Sequence, residues 1–177
     1  MQKILAQLER FGISATQHSH HSLLEHLSGT YKLLKVWNCA EYVCLAGLCH
    51  SIYGPESFVR TPATLGNRSF VQGLIGIEAE RLAYLFGAHK KESLWQNLNR
   101  ADEFSIEDRF VSGKVSLSQQ DLSNMVTITL ANWLEQRPRA EAAFQSLRKN
   151  EFQRSKKLLP RKAYDEFLRA YNLVEAE

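Results

Sequence analysis

The chain has 177 residues, 44% of them hydrophobic and 23% charged, with a net charge of +3. That length suffices for one domain burying roughly 70% of the surface its unfolded chain would expose, and so small a charge imbalance does not by itself imply a nucleic-acid partner, so none is expected. No apolar run approaches the ~18 residues of a membrane span, and the amphipathic start lacks a cleavage site, so a cytoplasmic protein with no membrane partner is expected.

Ile4, Leu5, Leu8 and Phe11 recur at helical spacing over Gln2 to Phe11, and Gly12 is placed to stop that helix as a C-cap glycine. Residues 13–21 are polar and irregular. Ser22 then opens S-L-L-E, the capping-box pattern in which Ser22 and Glu25 satisfy each other's backbone donors, so a second helix is predicted from about Leu23 to Trp37. Its stripe is Leu23, Leu24, Leu27, Tyr31, Leu34 and Trp37, with His26 at the edge. After a break at 38–41, Tyr42 to Ile52 is almost continuously apolar, as a helix buried on several sides would be, and His50 ends it. Gly54-Pro55 terminates this segment. Residues 56–66, with Pro62 and Gly66, form a loop long enough to wall or cover a pocket.

Further helices are predicted over 68–73, over 78–86 with Gly87 closing it, and over 92–98. Two short alternating runs about Ser112-Gly113, within 109–117, read as a small β-hairpin. Ser118 with Asp121 caps a long helix from about Gln119 to Gln136, whose inward face carries Leu122, Met125, Val126, Leu130 and Leu134, with Asn132 off the stripe. Pro138 and Pro160 each stand where a helix starts. The expected fold is all-α: one domain, a bundle over 18–136 with one small hairpin, and a C-terminal helical pair over 137–177 packed on it. The basic residues between Arg137 and Lys162 read as the solvated face of that pair. Cys39, Cys44 and Cys49 are an odd number spaced five apart, and about 500° of helical rotation scatters neighbours, so they read as reduced core or near-core thiols.

The functional signal lies in the histidines. Of the six, His18, His20, His21, His26 and His50 precede residue 51. His26 and His50 stand in apolar helical patterns, where an imidazole needs a partner or a metal to offset its desolvation, and a chain reversal at 38–41 would bring them together. His18, His20 and His21 read as loop histidines. Arg60 and Arg68 flank the proline-containing loop, where a guanidinium can grip a phosphate bidentately. Glu135 reads as a partner of Arg139 one turn on.

Three segments, E-H-L at His26, A-G-L-C-H-S at His50-Ser51 and L-A-N-W-L-E at Asn132, resemble the HD superfamily of metal-dependent phosphohydrolases. The similarity covers about residues 18–136, and in detail looks most like a bacterial family of unknown function with His-Ser in place of His-Asp. The resemblance implies an HD-type helical bundle with a divalent transition metal (Mn, Fe or Zn) held by His26, His50 and Asn132. It also implies a small anionic ligand, a phosphate ester or nucleotide-like molecule, beside Ser51, His18, Arg60 and Arg68, with Glu56 as the base that activates water. Ser51 and Asn132 are neutral where HD enzymes carry carboxylates, so the metal is expected to be weakly bound and any phosphohydrolase activity weak. A catalytically inactive, metal-free binding protein is the alternative expectation, and an HD-related metal oxygenase a second.

Overall fold

The apolar stripes close into helices packed about one core. The computed structural model describes residues 2–10, 17–18, 21–54, 65–141 and 145–174. In order, these form α1 (Gln2–Arg10), β1 (Gln17–His18), β2 (His21–Ser22), α2 (Leu23–Val36), α3 (Glu41–Leu48), α4 (Arg68–Ile75), α5 (Ile77–Ala88), α6 (Lys91–Trp95), β3 (Ser105–Asp108), β4 (Gly113–Ser116), α7 (Gln119–Gln136), α8 (Lys149–Arg154) and α9 (Arg161–Ala170). The all-α reading with a small hairpin holds: β3 and β4 pair antiparallel with Ile106 opposite Val115, and β1 and β2 add a two-residue pair. No described helix is long and apolar enough to cross a membrane.

Both capping boxes form, so the two longest helices start where the sequence placed them. Ser22 accepts from Glu25 N while Glu25 accepts from Ser22 N, and Ser118 and Asp121 repeat the exchange at α7. The chain reverses after α2 at Asn38, which adopts the left-handed conformation (φ 59°) that asparagine tolerates. The helix α3 then packs against α2, α5 and α7 at once. This central position explains its lack of a polar face: Val43, Cys44, Ala46, Gly47 and Leu48 are all buried. The thiols are free, with Cys39 half-buried and Cys44 and Cys49 buried. Burial pushes Cys49 up to about 12, so it stays protonated.

Four local expectations are corrected. The helix containing residues 42–52 stops at Leu48, and His50 lies in the following turn. Gly87 does not close α5 but sits inside it, one residue before its end at Ala88, and a Cβ there would meet Tyr53 Cβ at 2.9 Å; the glycine that does stop a helix is Gly76, whose φ of 89° ends α4 before α5 begins. The first hairpin strand is 105–108 rather than the run after Arg109. Asp108 Oδ1 accepts from Phe110 N (2.8 Å) and Val111 N (3.3 Å), which bends 109–112 into the turn. Pro138 lies in a 3-10 turn, Arg137–Arg139, appended to α7; helix reappears at residues 145–146, within the predicted span, and α8 follows from Lys149. Gly12 lies outside the described residues.

The C-terminal segment joins the core through Phe152, fully buried among Trp95 (5.5 Å between ring centroids), Phe167 (5.9 Å) and Trp133 (6.4 Å). Much of the basic charge of this segment is spent within the chain: Arg148 pairs with Glu92 and Glu151, Arg139 with Glu135 and Arg161 with Asp165, while Arg137 stacks on Tyr171.

Candidate functional site

The helical hairpin α2–α3 brings His26 and His50 together, as the sequence predicts. Their rings meet edge to face with centroids 5.2 Å apart, and both residues are buried, at 2% and 3% exposure. Each imidazole gives its Nδ1 proton to a fixed acceptor. His50 Nδ1 donates to the Gly47 carbonyl (2.7 Å), while His26 Nδ1 donates to Glu135 Oε2 on α7. In the neutral rings the remaining acceptor is therefore Nε2 in both cases. Phe86 on α5 packs edge to face on His50 (5.1 Å) and on His89 (5.4 Å), whose own Nδ1 donates to the Phe86 carbonyl. One file of rings thus runs from α2 to the end of α5.

Glu135 was legible only as the helical partner of Arg139, and it is that partner, with Arg139 Nη2 on Oε1 at 2.5 Å. It is also the anion of the histidine pair. Burial raises its carboxyl, but the hydrogen bonds from His26 and Arg139 outweigh burial and hold it below the ordinary carboxylate value. A second sequence feature marks its place. Gly29, one turn after His26 inside a good helix, costs about 1 kcal/mol of helix propensity relative to alanine. A Cβ there would lie 2.6 Å from Glu135 Cγ, so Gly29 is the notch through which the carboxylate reaches His26. Gly29→Ala is therefore expected to leave global stability within about 1 kcal/mol, because the propensity gain offsets the crowding. It should nonetheless displace Glu135. Nitrogen NMR of the His26 ring would show this as a loss of the pure Nδ1–H tautomer, and an unchanged tautomer would refute the notch.

The other predicted residues fall in three groups. Ser51 is buried in the turn beside His50, at 5% exposure. Asn132 lies one turn before Glu135 on α7, but its Oδ1 accepts from Gln136 Nε2 (3.0 Å) rather than joining the histidines. The bidentate grip expected of Arg68 is made to Glu80, at 2.7 and 3.0 Å, with the guanidinium stacked 4.0 Å above the Tyr84 ring. His18 lies in β1, its backbone paired with His21. Glu56 and Arg60 lie outside the described residues.

The sequence did not reveal the polar frame beside these rings. Glu80 has no exposure and accepts from Tyr53 Oη (2.6 Å), both Arg68 donors and Gln72 Nε2 (3.0 Å). Arg109 donates to the carbonyls of Gly87 (2.8 Å), Tyr53 (3.4 Å) and Gly54. Tyr53–Gly54 and Arg68 are thereby anchored to α5 and to the hairpin.

The donor set does not suit a catalytic metal ion. A divalent ion of this class asks for three or more protein ligands, and both oxygens of the one carboxylate at the pair are already committed, to His26 and to Arg139. Among the described residues no group of three or more His, Cys, Asp or Glu is placed to hold a metal. Chemically, the arrangement is a carboxylate-oriented imidazole beside a second, carbonyl-oriented one, suited to accepting a hydrogen bond from a ligand hydroxyl at Nε2 or relaying a proton.

Residues 7–91 match the family model of a domain of unknown function, DUF6817. The matched span includes both histidines and ends before α7. Comparisons with curated proteins and with solved structures gave no match.

Proposed function

We propose that the protein is a cytoplasmic, metal-free binding domain on an HD-like helical scaffold, in which His26 and His50 form the hydrogen-bond-accepting end of a pocket for a phosphate ester or nucleotide-like ligand, their Nε2 atoms accepting from its hydroxyl groups. One observation carries this reading: Glu135 holds the His26 Nδ1 proton while the Gly47 carbonyl holds that of His50, so two buried imidazoles are locked in tautomer and orientation at contact distance. Buried, oriented titratable groups that converge are the usual mark of a binding site. Ser51 adds a hydroxyl beside them. No hydrolytic step is assigned to Glu56.

The weak phosphohydrolase remains the second reading, favoured by one feature: an Nδ1–H held by a carboxylate or carbonyl is also how a metal-binding imidazole is oriented. Thermal unfolding separates the two. Nucleoside monophosphates or sugar phosphates at about 100 times Kd should stabilise the wild-type chain by about 2.7 kcal/mol, a rise in Tm on the order of 5–10 °C, and should leave His50→Ala unshifted. Added Mn2+, Fe2+ or Zn2+ alone should not raise Tm. Stabilisation by a metal that disappears in His26→Gln would replace the binding reading with the phosphohydrolase, and a flat response to the whole panel would remove the pocket.

A further inference from the structure

We propose a second small-molecule site, for a compact organic anion, in the cavity of about 330 Å³ between the start of α3, the first half of α7 and the segment before α9. Its lining comes from three stretches distant in sequence and includes neither His26 nor His50. The volume falls at the lower end of ordinary ligand pockets, roughly 300–1,000 Å³.

The walls are held in place by their own hydrogen bonds and retain donors in excess. Gln120 Nε2 donates to Asn124 Oδ1 (2.9 Å), and Asn124 Nδ2 donates to Tyr42 Oη (2.9 Å). Ser123 Oγ donates to the Leu158 carbonyl (2.5 Å), tying α7 to the strap before α9. In that relay the Tyr42 hydroxyl is an acceptor, so its own proton has no acceptor among the described residues, and the second N–H of Asn124, a residue only 8% exposed, is likewise unused. Lys157 lies in the lining and adds a cation, and no carboxylate lines the cavity.

Backbone electrostatics point the same way. The cavity is bounded by Ala40 and Pro160, the N-caps of α3 and α9, and neither side chain caps its helix. The positive ends of two helix dipoles therefore adjoin it. A lysine, surplus N–H and O–H donors, and the uncapped start of α9, which has no acidic residue in its first turn, select a ligand with anionic oxygens, a carboxylate or phosphate monoester, small enough for the volume; the start of α3 contributes less, because Glu41 stands in its first turn, though outside the lining.

Titration of the full-length protein with inorganic phosphate, glycerol 3-phosphate and malate, followed by amide NMR, tests the site and distinguishes the two anion types. At least one probe should give saturable shifts at Tyr42, Asn124 and the amides around Lys157. Lys157→Glu should weaken that probe about tenfold or more, and Tyr42→Phe several-fold, as expected for losing a charged or charge-assisted hydrogen bond. His26→Gln should leave it unchanged, which separates this cavity from the histidine pocket. Absence of saturable binding, a Kd indifferent to Lys157→Glu, or shifts confined to the residues around His26 and His50 would each overturn the assignment.

Discussion

Replacing Glu80 with alanine is expected to lower the free energy of unfolding by about 3 kcal/mol, the low end of the cost of breaking a buried ion pair, and to reduce Tm by on the order of 10 °C. Glu80 has no exposure and its two oxygens accept four hydrogen bonds, so its removal strands Tyr53 Oη and Gln72 as well as Arg68. The low end applies because the Arg68 side chain is 34% exposed and can recover water. Acidification gives a second, signed test. Burial raises the Glu80 carboxyl, but hydrogen bonds from Arg68, Tyr53 and Gln72 outweigh it and hold the group below its ordinary 4.5. A folded value below the unfolded one means that the stabilisation is complete above about pH 4.5 and is lost as pH falls through the folded value. Urea unfolding at pH 7 and at successively lower pH should therefore show the wild-type and Glu80→Ala curves converging in acid. A constant offset at every pH, or no loss at pH 7, would refute the role given to this carboxylate.

How much of this was legible depends on whether the signal was local. The starts of α2 and α7 were, because a capping box is complete within four residues: Ser22 with Glu25, Ser118 with Asp121. The meeting of His26 and His50 followed from two adjacent apolar helices and a short break. The misread features depend on distant partners. Gly87 resembles a helix stop, yet it is a contact surface for Tyr53 inside α5, while Gly76, which the sequence did not mark, ends α4. Asp108 looks like part of a charged run until its side chain is seen capping the turn at Phe110 and Val111. Arg68 looks like a surface cation because nothing nearby in sequence announces that Glu80 is buried. Glu135 is the clearest case, since its partner His26 lies 109 positions away, and a helical neighbour, Arg139, already accounted for its charge. The one local trace of it was the unexplained glycine at position 29.

Glu135→Gln should reduce affinity for the phosphate-ester ligand about 10- to 100-fold, the loss of a hydrogen bond to a charged group being about 1.5–3 kcal/mol, while leaving the fold intact. The substitution keeps the shape of the side chain but changes what it can do. The carboxylate accepts from two donors, His26 Nδ1 on one oxygen and Arg139 Nη2 on the other. Glutamine has one acceptor oxygen and one NH2, so one of the two donors must face a donor. Arg139 is poorly placed to yield, since its buried Nε already has no hydrogen-bond partner. If the amide oxygen stays with Arg139, the NH2 faces His26 and the ring must move its proton from Nδ1 to Nε2 to accept it. The two effects are then linked: an Nε2 that has taken the proton can no longer accept from a ligand hydroxyl, and the carboxylate that fixed the tautomer is gone. Ring-nitrogen NMR should show His26 shifting toward Nε2–H in Glu135→Gln, alongside the weaker binding, and Glu135→Asp should recover neither, because the shorter side chain falls short of the ring it must reach past Gly29. Full affinity in Glu135→Gln with a changed tautomer would mean that the ligand does not depend on His26, and the pocket would then have to be built on His50 alone.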